Sequence, residues 1–110
     1  MGLKSKKSKF KNIRTVIDGI SFPSKAEGNY YSLLKLREKA GEVANVEMQK
    51  PYAFTYEGKL ICTYKADFVF DDLVENRHRC VDVKGFSTDM FKLKKKMMWA
   101  WYGIDVELAK

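Results

Sequence analysis

The residues best placed to do chemistry are a carboxylate and an ammonium one position apart, in Val81-Asp82-Val83-Lys84-Gly85. Side chains alternate across a strand, so Asp82 and Lys84 share one face while Val81 and Val83 turn into a core on the other. Desolvating such a pair is costly unless it serves a purpose, and Gly85 lets backbone or a ligand approach closely just beyond it. Asp67 is a second acid out of place. The run Tyr64-Lys65-Ala66-Asp67-Phe68-Val69-Phe70 is otherwise built for burial, where a lone carboxylate titrates upward unless a cation sits beside it. If the strand of Asp67 pairs antiparallel with that of Asp82 through a loop over 71–77, the two carboxylates meet. Two acids at one point need a positive ion between them, and oxygen ligands with retained waters suit Mg2+ or Mn2+. Glu27 is the fourth member, placed towards the buried side of a helix from which it can reach the same ion or a second one. A competing explanation is specific: Ser24-Lys25-Ala26-Glu27 reads as a capping box, in which Glu27 merely bonds the Ser24 backbone.

Such a cluster suits phosphodiester hydrolysis. A metal polarises the phosphate and supplies hydroxide near neutral pH, and Lys84 can orient the water and stabilise charge on the phosphorane. Cys62 and Cys80 are the only cysteines and His78 is the one histidine. Their spacing fits no zinc site, and nothing sets a base against either sulfur.

The elements that must position these groups follow from turn and periodicity signals. Thr15-Val16-Ile17 and Ile20-Ser21-Phe22 flank Asp18-Gly19, the signature of a short β-hairpin. Ser24 opens a helix to about Ala40, with Gly41 as its left-handed cap. Ala26, Tyr30, Leu33 and Leu34 mark its expected buried face. Val43 to Gln49 reads as a strand ending at Pro51, Tyr52 to Tyr56 as another, and Leu60 to Phe70 as a long third after the Glu57-Gly58 turn. His78 to Lys84 is the next strand. Ser87 or Thr88 caps a second helix to about Tyr102, whose expected buried stripe is Met90, Phe91, Leu93, Met97, Met98, Trp101 and Tyr102. Ile104 to Leu108 alternates as a last strand. The order predicts an α/β (α+β) fold in one domain, residues 15–110, with a mixed central sheet flanked by two helices and preceded by a hairpin.

The net charge of +7 points to a polyanionic partner. Lys4, Lys6, Lys7, Lys9, Lys11 and Arg14 sit in residues 1–14 with no acid among them, which leaves fifteen bases against fourteen acids elsewhere. The excess therefore lies in a flexible basic arm, 1–14, with a second cluster at Lys92, Lys94, Lys95 and Lys96. The arm is expected to lie along DNA phosphates that an acid-rich core would otherwise repel. No apolar run approaches the length of a membrane span, and the first residues lack the apolar stretch of a secretory signal. The expectation is a cytoplasmic protein with no membrane partner.

At these residues the chain resembles the PD-(D/E)XK nuclease superfamily, whose core of helix, β-meander, second helix and further strand matches the order read over 24–108. The resemblance implies a restriction-endonuclease-like core. Glu27 looks like the first-helix acid, Asp67 like the acid after which the motif is named, and Asp82 and Lys84 like the (D/E)XK pair, with aspartate for the commoner glutamate. The implied metal ligands are Asp67, Asp82, Glu27 and the backbone carbonyl of Val83. Lys94 resembles a basic residue that some members use near the scissile phosphate, against its simpler reading as a solvated lysine. Gln49 sits where related nucleases often carry a polar residue near the site. Lys25, Lys92, Lys95 and Lys96 are further candidates for DNA contact. More closely, Gly19-Ile20-x-Phe22-x-Ser24-Lys25-x-Glu27-x-x-Tyr30-Tyr31, Ala66-Asp67-Phe68-Val69 and Asp82-Val83-Lys84-Gly85 resemble a family of small phage and prophage proteins of uncharacterised function. In size, and in lacking a separate reading domain, the chain is also similar to Holliday-junction resolvases and phage endonuclease I.

The leading expectation is a structure-selective endonuclease acting on branched DNA in phage recombination or replication, because no module is present to read a base sequence. Junction cutting would need a homodimer to space two active sites. The alternatives are a nickase or short-site endonuclease working with phage packaging or transposition proteins, a DNA-binding module whose cluster is vestigial, and a structural ion-pair network. Trp101 and Tyr102 are expected in the core beneath the second helix, and Trp99 is left as the aromatic to test for a DNA or dimer contact.

Overall fold

The computed structural model describes residues 14–84 and 86–110. The arm up to residue 13 and Gly85 lie outside the described residues. Asp18 and Gly19 both take positive φ, at 52° and 78°, and this tight turn joins β1 (Thr15–Ile17) to β2 (Ile20–Phe22) as an antiparallel hairpin. Helix α1 (Lys25–Lys39) starts where the Ser24 hydroxyl accepts from the Glu27 N–H at 3.1 Å, a cap worth about 1 kcal/mol. It stops in a Schellman turn: Glu42 N–H donates to the Arg37 carbonyl and Gly41 N–H to that of Glu38, with Gly41 at φ 77°.

Strands β3 (Val43–Tyr56), β4 (Lys59–Asp72), β5 (Arg77–Val83) and β6 (Glu107–Ala109) form one mixed sheet in that order. The β3–β4 and β4–β5 pairs are antiparallel, and β5–β6 is parallel. The parallel pair needs a crossover, which helix α2 (Asp89–Tyr102) provides. Thr88 caps its start and Gly103, at φ 67°, its end.

The two helices cover opposite faces. Val81 and Phe68 pack with Tyr31 and Leu34 of α1, whereas their chain neighbours Cys80 and Val69 pack with Phe91 and Met98 of α2. Phe54, Phe68 and Phe70 are wholly buried, each worth roughly 1.5–3 kcal/mol relative to exposure. The fold is thus the expected mixed sheet with two helices and a leading hairpin, and no described helix is long and apolar enough to cross a membrane.

Three expectations need correction. Residues 43–56 are one strand with Pro51 inside it. Because β3 is an edge strand, it needs N–H groups on one side only, so proline's missing donor is tolerated. The buried face of α1 is Glu27, Gly28, Tyr31 and Leu34, with Ala26 and Leu33 exposed; the hairpin packs on Gly28 and rotates the inner face by about one residue. On α2 only Phe91 and Met98 are buried, while Met90, Leu93, Trp101 and Tyr102 stay exposed. Trp101 and Tyr102 instead clasp the edge of the sheet. Their side chains donate to the Thr55 and Ala53 carbonyls, and their rings stand against Phe54 and Tyr52.

Candidate functional site

The β4–β5 ladder stops at Phe68 opposite Val81. Beyond that pair the strands part, and side-chain carboxylates take the places of backbone carbonyls. Asp67 N–H donates to Asp82 Oδ1 at 3.3 Å, and Val83 N–H donates to Asp67 Oδ2 at 3.0 Å. Each aspartate therefore closes the other strand's open ladder. Asp82 is fully buried and Asp67 half-buried. Lys84, the next residue on the Asp82 face, holds its Nζ 2.8 Å from Asp82 Oδ2 and 4.8 Å from the Phe91 ring centroid. The expected meeting of Asp67, Asp82 and Lys84 is present. Val83 joins through its N–H, which donates to Asp67.

Gln49 completes the contacts of Asp67. It lies on β3 at φ 54°, a left-handed conformation uncommon outside glycine, and its Nε2 donates to Asp67 Oδ1 at 3.0 Å. Strain at a polar residue that touches a carboxylate cluster points to a site.

Glu27 is buried, and no described group donates to its carboxylate. Only half of the expected capping box is formed: Ser24 caps Glu27, without a return bond from Glu27. Burial pushes its carboxyl up to about 7, and the charges of Asp67 and Asp82 push the same way against the pull of Lys84. Burial likewise raises Asp67 to about 6, although the Val83 N–H pulls it down. Glu27 thus feels the other three electrostatically without touching them. Among the described residues no three carboxylates, imidazoles or thiols already close on one point. What is assembled is the Asp67–Asp82 pair. Its crowded oxygen donors, facing one ammonium, fit a hard divalent cation.

A cavity of about 260 Å³ opens over this pair, lined in part by Tyr64, Asp67, Asp82, Lys84, Thr88 and Lys94. Lys94 therefore stands at the rim of the site, and its Nζ donates to the Thr63 carbonyl at 3.0 Å. Lys92, Lys95 and Lys96 lie elsewhere on α2, around a separate hollow with Trp99 and Asp105. Lys95 is held there by Asp105, and Trp99 is exposed. Lys25 is exposed at the start of α1. A third hollow, between hairpin and β3, is lined by Glu27 and Gln49, so Glu27 and the Asp67–Gln49 pair approach from neighbouring sides.

Cys80 is buried and its thiol is pushed up to about 12, chiefly by burial, which removes it as a nucleophile near neutral pH. Exposed His78 pairs with Asp71 at 2.8 Å, away from the cavity. Sequence reading missed Tyr64. Strict alternation puts residues 64 and 67 on opposite faces, but the buried positions of β4 switch from Tyr64 and Ala66 in the α2 core to Phe68 and Phe70 in the α1 core. The strand turns over at Asp67 and brings both residues to one cavity.

The model of one protein family, DUF1064, described as a protein of unknown function, matches residues 7–109. No curated protein and no solved structure matches the chain.

Proposed function

We propose that this chain, which belongs to the DUF1064 family, is a divalent-metal-dependent DNA endonuclease working through Asp67, Asp82, Lys84 and Glu27. The observation that carries the reading is the fork between β4 and β5, where two aspartates from neighbouring strands cap one another's strand beside an ammonium. The resemblance of these residues to the PD-(D/E)XK pattern supports it.

A cation, Mg2+ or Mn2+, would be held by Asp67 and Asp82, with Glu27, whose carboxyl feels both of their charges, as the third acid. Such an ion would supply Lewis-acid polarisation of the phosphate and a source of hydroxide near neutral pH. The chain's own groups do the rest. Lys84, whose ammonium is fixed between Asp82 and the Phe91 ring, presents donors to the attacking water and to the charge that grows on phosphorus. Lys94 at the cavity wall meets the negative phosphate. Gln49 holds Asp67 in place. Lys92, Lys96 and exposed Trp99 offer a basic and aromatic surface for a flanking strand.

For the substrate, this reading assigns selectivity to DNA shape. Branched or junction DNA in phage recombination, cut by a homodimer, is the first reading. A nickase acting with phage packaging proteins is the second. The test is a panel of labelled four-way junctions, flaps, nicked and linear duplexes incubated with magnesium. Wild type is expected to cut at least one branched form, and Lys84→Ala to cut it far more slowly. If every structure stays intact, the nuclease reading fails.

A further inference from the structure

Among the described residues, the Tyr64 hydroxyl is the buried side-chain polar atom left without a hydrogen-bond partner. The residue is 6% exposed, and it lines the cavity above Asp67 and Asp82, with its hydroxyl sealed just behind the wall. Buried polar groups are almost always paired, so an orphan here marks a place where something else binds. Its ring stands against that of Phe91, with centroids 6.3 Å apart. The Asp82 carboxylate is the neighbouring acceptor and adds to the rise that burial gives the Tyr64 pKa, through its charge and an approach short of a formed hydrogen bond; its oxygens also accept from Asp67 N–H and Lys84.

The surrounding groups define the ligand. Lys94 spends one N–H on the Thr63 carbonyl and keeps two donors. Thr88 accepts from Phe91 N–H through Oγ1, which leaves its own proton to give. Lys65 adds positive charge to the same wall, where Lys84 offsets Asp82 and Asp67 remains as an acid. Donors of this number, converging on one space, call for a compact anion with several acceptor oxygens. We propose that Tyr64 is a substrate-binding residue whose Oη donates to a non-bridging oxygen of a phosphate held in this cavity together with Lys94. The identity of that phosphate as the scissile group rests on the nuclease reading; the binding of a phosphate there does not.

Tyr64→Phe tests it, by thermal melting, by titration with inorganic phosphate and with a labelled four-way junction in EDTA, and by cleavage with magnesium. The variant keeps the ring and deletes an unpaired oxygen, so it is expected to melt at the wild-type temperature or above. It should bind phosphate and junction roughly tenfold more weakly, the scale of one hydrogen bond to a charged acceptor, and show a similar fall in kcat/KM. A lower melting temperature with unchanged affinities would make the hydroxyl structural and overturn the proposal. So would unchanged affinities at an unchanged melting temperature, or no measurable binding of either probe by wild type. If wild type binds phosphate but cuts no DNA, the nuclease reading falls alone, and the phosphate titration still decides the role of Tyr64.

Discussion

Asp67 and Asp82 carry charge at the point where a sheet would otherwise use neutral carbonyls, and the consequences can be measured residue by residue. Lys84→Ala is expected to lower cleavage by about 10²–10³-fold, the usual cost of losing a donor aimed at developing charge. DNA binding, measured in EDTA, should be kept. The acids also set a pH signature in the metal-free protein. Glu27, raised from 4.5 to about 7, and Asp67, raised from 3.8 to about 6, bind protons more tightly folded than unfolded. Their contribution to stability is complete below about pH 4 and lost as the pH climbs through 6 to 7. Asp72 has the opposite sign. Glu75 N–H and Arg79 hold it down at about 2, so its contribution is present above about pH 4 and lost as the pH falls through 2. In EDTA the melting temperature should therefore peak near pH 4–5, and Glu27→Gln should flatten the fall between 5 and 7. Magnesium at neutral pH should raise the melting temperature of wild type and leave Asp82→Asn nearly unmoved.

At the scale of elements, the hairpin and α1 form a unit whose tolerance is set by Gly28. A Cβ there would come within 3.0 Å of the Ile17 side chain and 3.2 Å of Thr15, so the hairpin lies almost on the helix backbone. Gly28→Leu should push it away and cost about 1–3 kcal/mol, read as a lower denaturant midpoint. Because Glu27 is the preceding residue, cleavage should fall as well. Helix boundaries, both caps and the hairpin were legible because each depends on local chemistry: Asp18-Gly19, Ser24, Gly41, Thr88 and Gly103. The inner faces of the helices were not. Which side of α1 is buried depends on where the hairpin lands, and which side of α2 is buried depends on the width of the sheet. Trp101 and Tyr102 look like core residues by type, yet they reach the β3 carbonyls at the margin.

For the whole molecule, the basic excess should show as a steep salt dependence of DNA binding. Lys92→Ala and Lys96→Ala, remote from the acids, should each reduce the slope of log affinity against log salt by about one without altering the chemical step. The basic arm, residues 1–14, is expected to add to that slope by lying on phosphate. The sequence by itself determined the element order and the strand-borne Asp82–Lys84 pair, because strand alternation and turn residues act over a few positions. It also marked Asp67 as an acid out of place. Only the tertiary structure decided that β4 and β5 fork at these aspartates and that Gln49 is strained onto Asp67. The same holds for the reversal of β4 that turns Tyr64 into the site, and for Glu27 standing within reach of the other charges but not in contact. These depend on twist and strand divergence, which arise from packing between segments far apart in the chain, and no periodicity records them.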